Sequence, residues 1–388
     1  MLPLLAMRLL IDTPDGLLPL TSKRARLPLP GSSRSKTPSL SYGPYLGAIS
    51  QFLSKDSFQT LRTVLSRHLH RTVSLHEIKR VELISEKHGA LYHVIRLNVH
   101  LAEKLSSFAV NVAVQPEQHA FLENEYDLLG KLTRNFDRAF LPIPYLKGEI
   151  DYHDEQNGRM PLKLFVAEWF EDYHEFHLSS HNAAPIPAIS VWDSGSTCSR
   201  LGRVQSLSLY SRAAAILTYY LDGSSFQQIY PWHHAAGDFV VKRSGADIDL
   251  RLITVRDYRC LLSPGQSYKD LWIAIVHFFL NLSLRMRLDR FDGTGELAWA
   301  APDCLRGILT GFLHSWAEKA PGYPHLPSSS EVLEVLRSFN AQEWLPLARL
   351  VVEDGLVEAD EIEFLEPRLK DHVAAITEAV HEDISTVR

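Results

Sequence analysis

The sequence predicts an α+β chain with its strands gathered in the N-terminal half and its helices in the C-terminal half. Residues 81–85, 92–99 and 108–114 form three runs rich in β-branched and aromatic side chains, the composition of half-buried strands. One amphipathic helix follows at 117–132, with Phe121, Leu122, Leu128, Leu129 and Leu132 on its apolar stripe. Past residue 200 the apolar spacing becomes helical, with segments at 201–221, 268–290, 303–319, 330–339, 341–353 and 367–384.

Taken in order, the chain opens on an apolar run broken by Arg8, Asp12 and Asp15, which lacks the basic start and cleavage site of a signal peptide and reads as mature sequence. Residues 21–46 are rich in Ser, Pro, Lys and Arg, so 1–46 are expected to hold an N-terminal segment and a flexible basic linker. Residues 47–72 space Ile49, Phe52, Leu53, Leu61, Val64 and Leu65 as a helical extension, expected as a helical pair ahead of the sheet. The sheet and its helix then occupy 73–170. Two more strands there, 145–152 and 162–169, flank Asn157-Gly158, a pair that tolerates positive φ in a tight hairpin. Residues 171–388 form the helical part, which turns acidic past Val351. Within 201–222, Ala213, Ala214 and Ala215 leave room for close helix packing.

Composition narrows the function. With 388 residues, 45% of them hydrophobic, the chain can bury sizeable cores. A net charge of −6 gives no global attraction for nucleic acid or an anionic membrane, so neither is expected as a partner. Cys198, Cys260 and Cys304 are few, odd in number and far apart, which argues against a disulfide framework or a zinc cluster and fits a reducing, cytoplasmic setting. The longest apolar stretch, 271–284, is interrupted by His277, Asn281 and Ser283 and falls short of the roughly 20 residues a bilayer crossing needs.

The stretch 229–241, IYPWHHAAGDFVV, follows a helix, is rich in His, Ala and Gly, and ends in a short strand at 239–241. That order resembles the catalytic loop of the protein-kinase-like superfamily, nearest to the aminoglycoside phosphotransferase and choline kinase branch, where a His-Gly-Asp-x-x-x-x-Asn loop leads into an apolar strand. The resemblance covers roughly residues 75–320. It implies a two-lobed kinase-like fold with an antiparallel-sheet N-lobe and a mainly helical C-lobe, carrying a helical N-terminal extension. It also implies ATP and Mg²⁺ as cofactors. Phosphoryl transfer needs groups that hold the phosphates, carboxylates for the metal and a base for the acceptor.

Set on that frame, His233 stands where the catalytic Asp belongs and Asp238 where the metal-binding Asn belongs. Asn111, in the third strand FAVNVAV, stands at the phosphate-binding Lys position, Glu125 at its helix partner, and Lys87 in the turn between the first two strands is a substitute cation. Asn111 brings no positive charge. In DLRLITVRDYRC the second metal position falls on Thr254, or on Asp257 after a three-residue slip. An alternative frame makes Asp238 the base and Asp257 the metal ligand. Asp238 and Asp257 also admit a plainer reading as loop residues with Arg256 or Arg259 as ion partner. A metal reading of His174, His177 and His181 requires a helix over DYHEFHLSSH, and HEFH lacks the HExxH spacing.

Three functions stay open at this point. The loss of the Lys and the Asp together favours a pseudokinase or weak nucleotide-binding regulator working with a protein partner. The alternatives are an atypical phosphotransferase with His233 as base, and a structural protein with no nucleotide site. If ATP binds, its binding should be weak and only partly Mg²⁺-dependent.

Overall fold

The computed structural model describes residues 7–13, 16–29, 40–88, 92–154, 158–180, 187–192, 198–232, 237–245, 247–265, 267–293, 295–353 and 359–382. They fall into two compact units, Met1–Glu171 and Asp172–Arg388. The chain is a mixed α and β protein, as the sequence predicts.

The first unit contains β1 (Met7–Thr13), β2 (Gly16–Pro19), α1 (Ser22–Ala25), α2 (Tyr42–Leu69), β3 (Arg80–His88), β4 (His93–His100), β5 (Leu105–Ala113), α3 (Pro116–Asn135), β6 (Pro144–Asp154) and β7 (Gly158–Glu168). Its strands make one seven-stranded sheet in the order β2-β1-β3-β4-β5-β7-β6. The five strands β3 to β7 pair antiparallel and α3 packs on β5, β6 and β7, the arrangement expected from the sequence. The β6–β7 hairpin closes at Asp154 opposite Gly158, and Asn157 lies outside the described residues.

Three elements within residues 1–46, β1, β2 and the short helix α1 inside the expected flexible linker, were not expected. Met7–Ile11 of β1 pairs parallel with Val81–Ser85 of β3, and β2 folds back on β1. The run around Leu9, Leu10 and Ile11 reads as mature sequence without an assigned strand, because period-2 alternation is weak over so short a run. Strand β3 also runs three residues past its expected end at Ser85, to His88, so Lys87 belongs to a strand and not to a loop; its side chain lies outside those described.

Helix α2 is bent at Asp56, Ser57 and Phe58, all at positive φ, so it is a helical pair. The bend lets Leu53 and Leu61 both be fully buried. Phe52 lies against Gly148 of β6, where an added Cβ would come within 2.4 Å of the ring. The core of this unit joins α2 to one sheet face through Leu46, Ile49, Val81, Leu83, Leu97, Val110 and Leu164, each side chain contributing about 1.5–3 kcal/mol by burial.

The second unit contains β8 (Phe176–Ser179), β9 (Ala188–Trp192), β10 (Cys198–Arg200), α4 (Arg203–Tyr219), β11 (Gln227–Ile229), β12 (Phe239–Ser244), β13 (Asp247–Leu252), β14 (Tyr258–Cys260), α5 (Tyr268–Arg287), β15 (Leu288–Arg290), β16 (Leu297–Trp299), α6 (Cys304–Lys319), α7 (Ser329–Ser338), α8 (Ala341–Glu353), α9 (Ala359–Leu365) and α10 (Leu369–His381). Its strands form one three-stranded sheet, β10-β9-β8, and three two-stranded ladders, β11-β14, β12-β13 and β15-β16. Helices α4 and α6 make its closest pairing. Cβ atoms at Gly307 and Gly311 would come within 2.5 Å of the Leu207 carbonyl and 1.9 Å of the Ser211 carbonyl, so only glycine permits this approach.

The segment holding His174 and His177 is a strand and not a helix. His174 bridges to Val241 through backbone hydrogen bonds and His177 lies on β8, so the one-face spacing is lost. His181 lies outside the described residues. Among the described residues, no helix is long and apolar enough to cross a membrane.

Candidate functional site

In the second unit the stretch 229–241 spans the connection from β11 to β12. Residues 233–236 lie outside those described, so His233 has no structural account here. Tyr230 and Trp232, just before them, are almost wholly buried. Arg285 of α5 supports both. It donates to the Tyr230 hydroxyl at 2.9 Å and to the Trp232 carbonyl at 3.3 Å, with its guanidinium 4.8 Å from the centre of the Tyr230 ring. The backbone N–H of Tyr230 donates to the Asp257 carbonyl at 3.0 Å, tying the loop to the start of β14.

Asp238 sits immediately before β12, and its carbonyl accepts from the Ile253 N–H at 2.9 Å. Its side chain is 3% exposed and lies in the fork of Arg256. Arg256 Nη2 donates to Oδ1 at 2.6 Å, and Nη1 donates to Oδ2. A bidentate guanidinium both neutralises a buried carboxylate and fixes its plane. Without that partner, keeping Asp238 ionised at this depth would cost several kcal/mol.

Asp257 is a different case. Its side chain is 42% exposed, accepts from the Tyr258 N–H at 2.7 Å, and stands 3.5 Å from Arg259 Nε. Arg259 in turn lies 5.6 Å from the Tyr230 ring centre. Thr254, the other position considered for the metal, is half-buried on the same 253–257 connection. The structure therefore brings Asp238 and Asp257 to the two sides of one short segment, each beside its own arginine.

A Mg²⁺ ion at Asp238 does not fit this donor set. Both carboxylate oxygens are bonded to a cation already, and a metal would have to displace it. Among the described residues no three His, Cys, Asp or Glu side chains are placed to hold a metal ion.

In the first unit Asn111 lies on β5 between Val94 of β4 and Phe165 of β7, and is half-buried. Glu125 is on α3 and 2% exposed. Lysine and carboxylate do meet on α3, but at other positions. Lys163 of β7 bonds Glu123 at 2.5 Å, and Lys147 of β6 bonds Asp127 at 2.8 Å. The Lys163 ammonium holds the Glu123 carboxyl below its ordinary pKa. Burial, and then the same Lys163 charge, lower that of His119 one turn earlier.

The residue that sequence reasoning missed beside the loop is Arg285. Arg285 sits in an apolar helix, YKDLWIAIVHFFLNLSLRMR, where a charged residue must find an internal partner; that mismatch was a readable signal. Arg256 was visible beside Asp257, but its bidentate hold on Asp238 depends on loop geometry.

No protein-family model and no curated protein matches the chain. Among solved structures it is similar to the crystal structure of a "Putative fructosamine-3-kinase" from Haemophilus somnus 129PT, with 10% identity, 81% of this chain and 96% of that chain covered, and a TM-score of 0.27. At that TM-score no residue correspondence is drawn between the two.

Proposed function

We propose that this chain is a kinase-like protein whose catalytic apparatus has been replaced, and that it acts as a regulatory pseudokinase through binding rather than phosphoryl transfer. The observation that carries this reading is the Arg256 fork on buried Asp238. A carboxylate in that state is a structural ion pair and not a vacant metal ligand. The polar but uncharged Asn111 supports the same reading, because phosphate neutralisation would lack the charge that catalysis uses where negative charge develops. ATP is then at most a weak ligand. A protein partner and a cytoplasmic location, in keeping with three free cysteines, belong to the same proposal.

The test is a turnover assay on the wild-type chain with labelled ATP and Mg²⁺. No hydrolysis or transfer above a heat-inactivated control is expected, with protein acceptors or small hydroxyl and amine acceptors. Wild-type turnover that disappears in His233→Ala or Asp257→Asn, with circular dichroism unchanged, would make the chain an atypical phosphotransferase.

A further inference from the structure

Helix α10 carries a histidine with no access to water. His372 is 0% exposed, and Leu369, Val373, Ile376 and Val380 of the same helix are buried with it. Its ring Nδ1 lies 3.1 Å from Arg287 Nη1, and its Nε2 lies 3.2 Å from Ser283 Oγ. Both partners come from α5. Arginine can only donate, so Nδ1 must be the acceptor. Ser283 spends its own proton on the Leu280 carbonyl at 3.0 Å, so its oxygen accepts from Nε2. The contacts thus fix one tautomer and one charge state, the neutral Nε2–H imidazole.

Arg287 is held in place. Its Nε and Nη2 donate to the Ala300 carbonyl at 3.1 and 2.9 Å, and its guanidinium lies 4.4 Å from the centre of the Trp299 ring. Trp299 also meets the His372 ring edge-on at 5.7 Å. Among the described residues, no carboxylate is a hydrogen-bond partner of Arg287. Of the groups acting on it from a distance, burial pushes the Cys304 thiol up to about 12 and raises Tyr210 as well, so both stay neutral. Asp303 is engaged by Arg203 at 3.2 Å, and Asp371 is exposed on α10 itself. Further charged contacts of α10 lie at its C-terminal end, where Arg337 of α7 donates to the Val380 carbonyl and Arg306 of α6 pairs with Glu382.

We propose that His372 is a proton-sensitive latch: a proton added at Nδ1 breaks its bond to Arg287, sets two cations side by side in the interior, and releases α10 from α5. Burial first, and then the Arg287 charge, hold the ring's pKa well below its ordinary value. A histidine whose folded pKa is depressed contributes stability that is present above about 6.5 and is lost as pH falls below it, because Nδ1 takes up the proton only as its bond to Arg287 is given up. The neutral ring is therefore the docked state and acid the releasing signal.

Hydrogen exchange of the full chain between pH 7.5 and 5, corrected for intrinsic rates, tests this. Protection of the α10 amides should fall by up to about tenfold per pH unit below 6.5, with the α4 and α6 amides less affected. His372→Gln keeps an acceptor for Arg287 and a donor for Ser283 without a titrating ring, and should flatten the profile. An α10 profile in the wild type that does not change with pH, or a His372→Gln profile as steep as the wild type, would overturn the proposal. Should the variant fold poorly, the ¹⁵N shifts of the wild-type ring decide. A neutral Nε2–H imidazole in the folded chain at pH 6 is expected, and an imidazolium there contradicts the latch.

Discussion

Asp238 and Asp257 are the same residue type, lie at the two ends of one loop system and each face an arginine, but their surroundings differ. The Asp238 side chain is 3% exposed and its arginine 21%, whereas Asp257 and its arginine are 42% and 40% exposed. Depth changes what an ion pair does. Near water, solvent stabilises either partner alone and the pair adds little. In the interior each partner depends on the other, because neither can be left charged without a counter-ion. Asp238 is thereby committed to Arg256 and Asp257 is not committed to Arg259.

The comparison breaks most sharply at Arg256. Arg256→Ala removes the bidentate guanidinium from a buried carboxylate and should lower stability by about 3–5 kcal/mol, read from urea unfolding monitored by circular dichroism. Arg256→Lys retains the charge but not the fork, and should recover only part of that loss. An Arg256→Ala variant as stable as the wild type would show that Asp238 has other support.

At the exposed pair the effect should be small. Arg259→Ala is expected to cost at most about 1 kcal/mol, and adding salt should shrink the difference further, since screening acts on exposed charges more than on buried ones. Equal losses at Arg256 and Arg259 would erase the distinction drawn from burial.

The first unit was largely legible in the sequence, because alternation over 81–114 and 145–169 and the single amphipathic α3 each specify one element locally. Strand β1 was not, since its place depends on pairing with β3 about 70 residues away. The second unit was legible as helices, with α4, α6 and α8 close to their expected bounds. The short ladders β11-β14 and β15-β16 are only three residues per strand and leave no periodic trace. At the candidate site, Asp238 and Asp257 stood out by type and position. Arg256 and Arg259 were named as their ion partners, but the depth and the bidentate fork at Asp238 were not legible, because the Asp238–Arg256 contact spans 18 residues and is made by a turn whose course no local pattern sets.

Whether Asp238 belongs to an internal ion pair or to a nucleotide-bound metal is decided most directly by calorimetric titration of the wild-type chain with ATP, with Mg²⁺ present and with Mg²⁺ chelated. Weak binding that depends on Mg²⁺ only in part is the result expected if Arg256 already neutralises the carboxylate. Submicromolar binding that vanishes on chelation would contradict it, because Asp238 would then have exchanged its arginine for the metal.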